Sequence, residues 1–292
     1  MNNTIPLGGL RNDIGKLFNP HMKELNKGWS DTFRNRNLIF EYGPGADLPT
    51  KYDMLNGKPI QSYNFFTRAF NAVSPIQINL DKGEKNILIN KIKDMKNNSK
   101  NSKYKVNDAS WTGDTQGHEY LHKDLNFNNL FVKINEKIEN YLDFLKVDKN
   151  QIETYISRSW ATISSGKEVI SKHQHLQSHV SFAYYLKKIS SDSNFIVYDE
   201  EKKNEFIPGL FGSKTLVQKK LIKEITLASA TKISLPVNED DIVIFPSKTL
   251  HSTDQIKTNN DRISISGDII FLAKDTNTLE HLTPSFENWK KL

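Results

Sequence analysis

Cysteine is absent from the 292 residues, which excludes disulfides, Cys-ligated zinc, iron–sulfur clusters and thiol catalysis together. Any metal must then be held by His, Asp or Glu. There is no glycine-rich phosphate loop and no βαβ alternation, which argues against nucleotide-binding α/β folds. No stretch approaches the roughly 18 to 20 consecutive apolar residues of a membrane span, and the opening MNNTIPLGGLRNDIGKLF lacks the apolar core of a signal peptide. The expectation is a soluble, cytoplasmic protein with no membrane partner. Long runs of one charge are also missing, because the 40 Lys+Arg and 34 Asp+Glu are interspersed. Basic residues interleave with no aromatic stripe on a single element, so nucleic-acid readout is not favoured.

What is present is enough apolar material, 37% of residues, to bury the core of one large domain or two small ones. Residues 1–65 are rich in Gly, Pro and Asn (LGGLRND, EYGPGADLP, LNGKPIQSYN) and read as an irregular N-terminal extension. Residues 66–292 read as the catalytic domain. It opens with SPIQINL, which alternates like a short strand, and continues helically over 84–146. There Leu88, Ile92 and Met95 share one helical face, and Phe131, Ile134, Ile138, Tyr141 and Leu145 form a second stripe. Between these helices lies the polar loop NDASWTGDTQGHEYLHKD. From about 150 to 273 short β-type runs take over: TYISRSWATI, VSFAYYLKK, NFIVYDE, TKISLPV, DIVIFPS and RISISGDIIFL. The fold class is mainly β with flanking helices, a sandwich or jelly roll.

The chain has eight histidines, and KHQHLQSH holds three of them, His173, His175 and His179. In an extended segment residues i and i+2 face the same way, so His173 and His175 can aim at one point. His251, just past the apolar run DIVIFPS, can meet them from the opposite side of a barrel. Two ligands from one segment and one distant ligand leave open coordination positions, the mark of a catalytic metal. His21, His118, His122 and His281 are isolated and read as ordinary core or surface residues. Arg262 opens the strand RISISGDIIFL, and its planar fork beside an open metal would suit the carboxylate of a 2-oxo acid. The plainer alternative is an ion pair with Asp240 or Asp241.

The stretches SRSWATISSGKEVISKHQHLQSHVSFAYYLKK, DIVIFPSKTLHSTDQ and DRISISGDI, in that order, resemble 2-oxoglutarate- and iron(II)-dependent oxygenases of marine bacterial and phage type. With the WTGDTQG loop, the resemblance covers about two thirds of the chain, Ser74 to Leu272. It implies a double-stranded β-helix (cupin-like) with Fe(II) held by His173, His175 and His251. It also implies 2-oxoglutarate as co-substrate paired with Arg262, and Ser264 and Tyr184 or Tyr185 beside it. The expected reaction consumes O₂ and 2-oxoglutarate, hydroxylates an unactivated C–H bond of a small molecule or protein side chain, and releases succinate and CO₂. This chain departs from the commonest triad at His175, where that pattern has a carboxylate. His175 can complete a three-histidine face or stand behind a water, with Gln177 and Asp199 as fallback ligands and His179 as a pocket residue. The family pattern also has Ser-Gly where this chain has Ser181-Phe182. The insert 200–230, with Gly209 to Gly212, reads as a solvent-exposed excursion or a lid.

Two other readings follow from the same residues. A cupin-like isomerase or hydrolase could use the three histidines for another divalent ion, without needing Arg262. Residues 56–80 resemble a segment of large internal virion proteins of marine phages, which suggests a virion structural or interaction protein and, for a phage-encoded chain, the host cytoplasm. A surface-wrapping extension explains the same segment equally well.

Overall fold

The computed structural model describes residues 75–99, 108–113, 117–188, 193–198, 205–211, 221–223, 229–255, 260–275 and 280–292. The expected extension 1–65, His21 and Asp199 lie outside them. The described residues fall into two compact units, one of 75–196 with 237–292 and one from the span 197–236.

The larger unit begins with β1 (Ile76–Gln77) and α1 (Lys82–Asn98). Asp81 caps α1 by accepting from the backbone N–H groups of Gly83 (2.7 Å) and Glu84, an arrangement that typically contributes about 1 kcal/mol. After β2 (Ser110–Trp111) and two short 3₁₀ turns comes α2 (Asn128–Phe144). The α1 stripe holds, while the α2 stripe shifts at both ends, Phe131 being only half-buried. Leu88, Ile92 and Met95 are buried on α1, whereas α2 buries Leu130, Ile134, Ile138, Tyr141 and Leu142. Leu145 falls beyond the last helical residue and is 42% exposed, because the helix ends one residue before it.

The long strands are β3 (Ile152–Ser164), β4 (Val180–Lys187), β7 (Asp241–Pro246) and β9 (Arg262–Ala273), joined by the short β5 (Phe195–Tyr198), β8 (His251–Thr253) and β10 (Thr283–Pro284). The main sheet runs β1-β7-β4-β9-β3-β2, with β10 beside β9. All of its pairings are antiparallel except β9–β10. From β4 the chain leaves this sheet for β5, returns as β7, leaves again for β8, which pairs with β5, and returns as β9. This alternation between two sheets is the double-stranded β-helix expected from the short, evenly spaced strands.

Strand periodicity decides what each face carries. On β9, Ile263, Ile265 and Ile269 alternate with Arg262, Ser264, Ser266 and Asp268. On β3, Ala161 and Ile163 alternate with Arg158, Trp160, Thr162 and Ser164. One face of the sheet is therefore aliphatic, and the other presents hydroxyls, two cations and an anion. Phe131 of α2 meets Phe182 of β4 edge-on at 6.5 Å. Lys85 of α1 bonds Glu239 (2.8 Å) and Asp240 (2.5 Å) in the turn before β7, where Tyr184 also donates to Asp240.

The smaller unit contributes the second half of β5 and β6 (Lys232–Leu235). Of the proposed lid at 200–230, only 205–211, 221–223 and 229–230 are described. Gly209 there has a left-handed backbone, φ +79°. No helix among the described residues is long and apolar enough to cross a membrane.

Candidate active site

His173, His175 and His251 come together, their candidate ligand nitrogens all within 4.8 Å of one another. The segment from Ser171 to His179 is not a strand, the form in which i and i+2 share a face, but a bent stretch held by backbone bonds. His173 and His251 exchange N–H···O bonds at 3.0 and 2.9 Å, and His175 N–H donates to the Ser247 carbonyl. The turn after β7 and the start of β8 thus act as a template that sets both outer histidines.

Each imidazole is oriented through Nδ1. In His173 it donates to the Ser171 carbonyl (2.7 Å), in His251 to the Thr249 carbonyl (2.9 Å), and in His175 to the Asp268 carboxylate (2.5 Å). Fixing the proton at Nδ1 leaves each Nε2 with an outward lone pair. The Nε2 atoms of His173 and His175 lie 3.3 Å apart, a distance that suits two ligands of one ion. Burial pushes the His173 pKa down to about 4, assisted by neighbouring His175, and drives that of His251 well below its ordinary value. Both rings are thus kept neutral, the form that binds metal. Phe195 stacks on His251 (centroids 5.2 Å apart, planes 23° apart) and Phe245 lies 4.6 Å from it, while Trp111 meets His173 edge-on.

The fallback oxygen ligand Gln177 lies on the wall of the adjoining cavity. His179 turns away from it, stacking on Phe271 while its Nδ1 accepts from the Phe271 N–H. His122 pairs with Ser159 Oγ at 2.7 Å, and His281 is exposed beside Glu280.

Arg262 is 2% exposed. Its guanidinium donates to Ser193 Oγ and to Ser164 Oγ (2.7 Å), while Nε has no partner. The ion pairs proposed as the plain alternative do not form, since Asp240 pairs with Lys85 and Asp241 accepts from Gln77 and the Asn238 N–H. A buried cation served only by hydroxyls is costly without an anion, and burial accordingly lowers its pKa. Ser264 and Tyr185 line a narrow cavity with all three histidines, Thr253 and Phe195. Arg262 is not among the residues lining that cavity, though it interacts electrostatically with Tyr185, which is.

A second, larger cavity of about 440 Å³ opens over His173 and His175. Trp111, Trp160, Arg158, Asp108, Leu176 and Asp268 are among its walls. Sequence reading missed Asp268, Ser164, Ser193 and the tryptophan walls. The i, i+2 spacing from Arg262 through Ser264 to Asp268 was a usable signal for the first of these.

Residues 158–268 match the model of a family described as "Putative 2OG-Fe(II) oxygenase". Over this segment, well under half of its length, the chain is similar to that oxygenase family. The match takes in the three histidines and Arg262. The matched family is described by its use of 2-oxoglutarate and iron(II). An all-nitrogen cluster with three free Nε2 lone pairs fits a first-row divalent ion. No curated protein matches the chain. Among solved structures, the non-heme alpha ketoglutarate dependent epimerase SnoN from nogalamycin biosynthesis is 12% identical, covering 80% of this chain and 92% of its own, with TM-score 0.49. HygX from Streptomyces hygroscopicus, with nickel and 2-oxoglutarate bound, is also 12% identical, covering 80% and 90%, with TM-score 0.48.

Proposed function

We propose that the chain is a hydroxylase in which His173, His175 and His251 hold iron(II), and in which Arg262, with Ser264 and Tyr185 beside it, receives the distal carboxylate of 2-oxoglutarate. The observation that carries this reading is the convergence of three imidazoles whose Nδ1 positions are all engaged. When bound, the iron supplies O₂ activation coupled to oxidative decarboxylation of 2-oxoglutarate. The balance is one O₂ and one 2-oxoglutarate consumed, with one C–H converted to C–OH and succinate and CO₂ released.

The chain's own groups do the rest. Arg262 neutralises the far carboxylate with a two-pronged donor, and Ser164 and Ser193 keep that fork in plane. Admission of a five-carbon diacid requires the narrow cavity lined by Tyr185, Phe195 and Thr253 to widen. Phe195 and Phe245 exclude water behind His251. The 440 Å³ cavity is the place for a small-molecule substrate, with Trp111 and Trp160 offering flat apolar walls.

A cupin-like isomerase or hydrolase would leave the buried Arg262 without a purpose. The virion reading rests on residues 56–80, of which 56–74 lie outside the described residues, and it gains no support from the comparisons.

The test is an anaerobic titration of the metal-free chain with Fe(II) and then 2-oxoglutarate, following the visible charge-transfer band of a chelated 2-oxo acid. A saturable band, weakened in Arg262→Ala, is expected. Tight Zn(II) binding with no such band would return the assignment to the cupin-like alternative.

A further inference from the structure

The three candidate ligands are not equivalent. His173 and His251 are oriented by backbone carbonyls, which are neutral, whereas His175 alone is oriented by a carboxylate. That carboxylate, Asp268, is 3% exposed, and its Oδ1 accepts from both His175 Nδ1 and Ser181 Oγ (2.8 Å). Behind Ser181 stand Ser247 Oγ at 2.8 Å and then Ser178 Oγ at 2.8 Å. One consistent orientation of these hydroxyls points every donor toward Asp268, as an ionised carboxylate requires.

The anion also keeps its distance from the cation on its own strand. Asp268 and Arg262 share a face of β9 but are six residues apart, roughly 20 Å at strand rise, so neither serves as the other's direct counter-ion. Arg158 is the register partner of Asp268 across β3–β9, while the ring that Asp268 Oδ1 bonds is His175; a metal bound by three neutral imidazoles would keep its full double positive charge, and this ring is the path by which the carboxylate reaches it.

The geometry points to Asp268 as a positioning residue that returns, through the His175 ring, the negative charge an all-histidine ligand set lacks. The inference rests on the metal assignment above. A carboxylate drawing on the Nδ1 proton raises electron density at Nε2, which tightens metal binding and makes the ion more electron-rich. A merely architectural Asp268 would need the shape of the group and its two hydrogen bonds, but not its charge.

Asp268→Asn separates these roles, since the amide keeps the shape and an acceptor oxygen while removing the charge. The probe is Co(II), titrated into the metal-free full-length chain and followed by its visible d–d bands. The expected result is an unchanged band envelope, showing the same three ligands, with affinity weakened about 10- to 100-fold. The Fe(II)·2-oxoglutarate band of the variant should also move to shorter wavelength, because a less electron-rich iron gives up its electron less readily. Asp268→Glu, which keeps the charge, should recover part of the affinity. Affinity and band position equal to those of the unsubstituted chain would overturn the proposal, as would Asp268→Glu binding no better than Asp268→Asn. Failure of the unsubstituted chain to bind Co(II) at all would instead overturn the metal site itself, and this proposal with it.

Discussion

The imidazole cluster and the buried guanidinium lie in the same β-helix but are built on opposite plans. Around the histidines every orienting hydrogen bond is already made, and the unmet need is for a shared electrophile at Nε2. Around Arg262 the hydrogen bonds are few and neutral, one nitrogen has no partner, and the unmet need is for charge. The difference separates preorganisation from affinity. The cluster is costly to misalign but cheap to leave empty, because neutral imidazoles tolerate burial. The guanidinium is costly to leave alone, so an anion arriving there is drawn in by relief of that cost.

The sharpest way to break this comparison is to remove one member of the cluster. His251→Ala should abolish 2-oxoglutarate-dependent O₂ consumption, measured as uncoupled succinate formation, while retained turnover would defeat the ligand assignment. Arg262→Ala should leave Co(II) binding intact and raise the 2-oxoglutarate requirement by about 100-fold, within the 2–5 kcal/mol typical of losing one partner of a buried charge pair. A loss of Co(II) binding in that variant would show that the two regions are not independent.

A third effect is pH-dependent and belongs to the cluster. His173 and His251 have folded pKa values below the unfolded value near 6.5, so between those limits the unfolded chain binds more protons. Stability of the metal-free protein is therefore complete above about pH 6.5 and is lost as pH falls toward 4. Melting temperatures between pH 7.5 and 4.5 check this, and a flat profile would contradict it.

The smallest effect tests the strand between the two regions. A Cβ at Gly267 would lie 2.6 Å from the Phe182 ring and 3.0 Å from the Arg158 carbonyl. Gly267→Ala should cost about 1–3 kcal/mol through overpacking. It should also weaken Co(II) binding through neighbouring Asp268 and leave the 2-oxoglutarate requirement unchanged, as titration and kinetics would show.

Much of this was legible in the residues. Six β-type runs appear as strands at nearly the expected limits, because alternation and β-branched content are local signals. His173, His175, His251 and Arg262 stood out in the sequence by their spacing and by the apolar runs beside them, and the three histidines do come together. Asp268 was legible only as a position on the i, i+2 face of β9 and not in its role, since that depends on β4–β9 register, which pairs it with Ser181 and brings it to a ring 93 positions away. Ser164 and Ser193, the hosts of Arg262, were hidden for the same reason, as hydroxyls on separate elements with no motif of their own. The non-strand form of 171–179 reflects tertiary bonds to β8 and Ser247, which no periodicity encodes.

Phe182 stands where the family resemblance has a small residue, and it is paired across the sheet with Gly267, whose missing side chain gives its ring room. This pairing orders the routes by which the sequence can drift. Enlarging position 267 first meets the ring, whereas shrinking position 182 first opens a void worth about 3–5 kcal/mol if it were cut to Ala. Either change is tolerable mainly in the background of the other. Descendants of this chain should therefore inherit the two positions as a linked pair, with intermediate sequences rare and poorly folded.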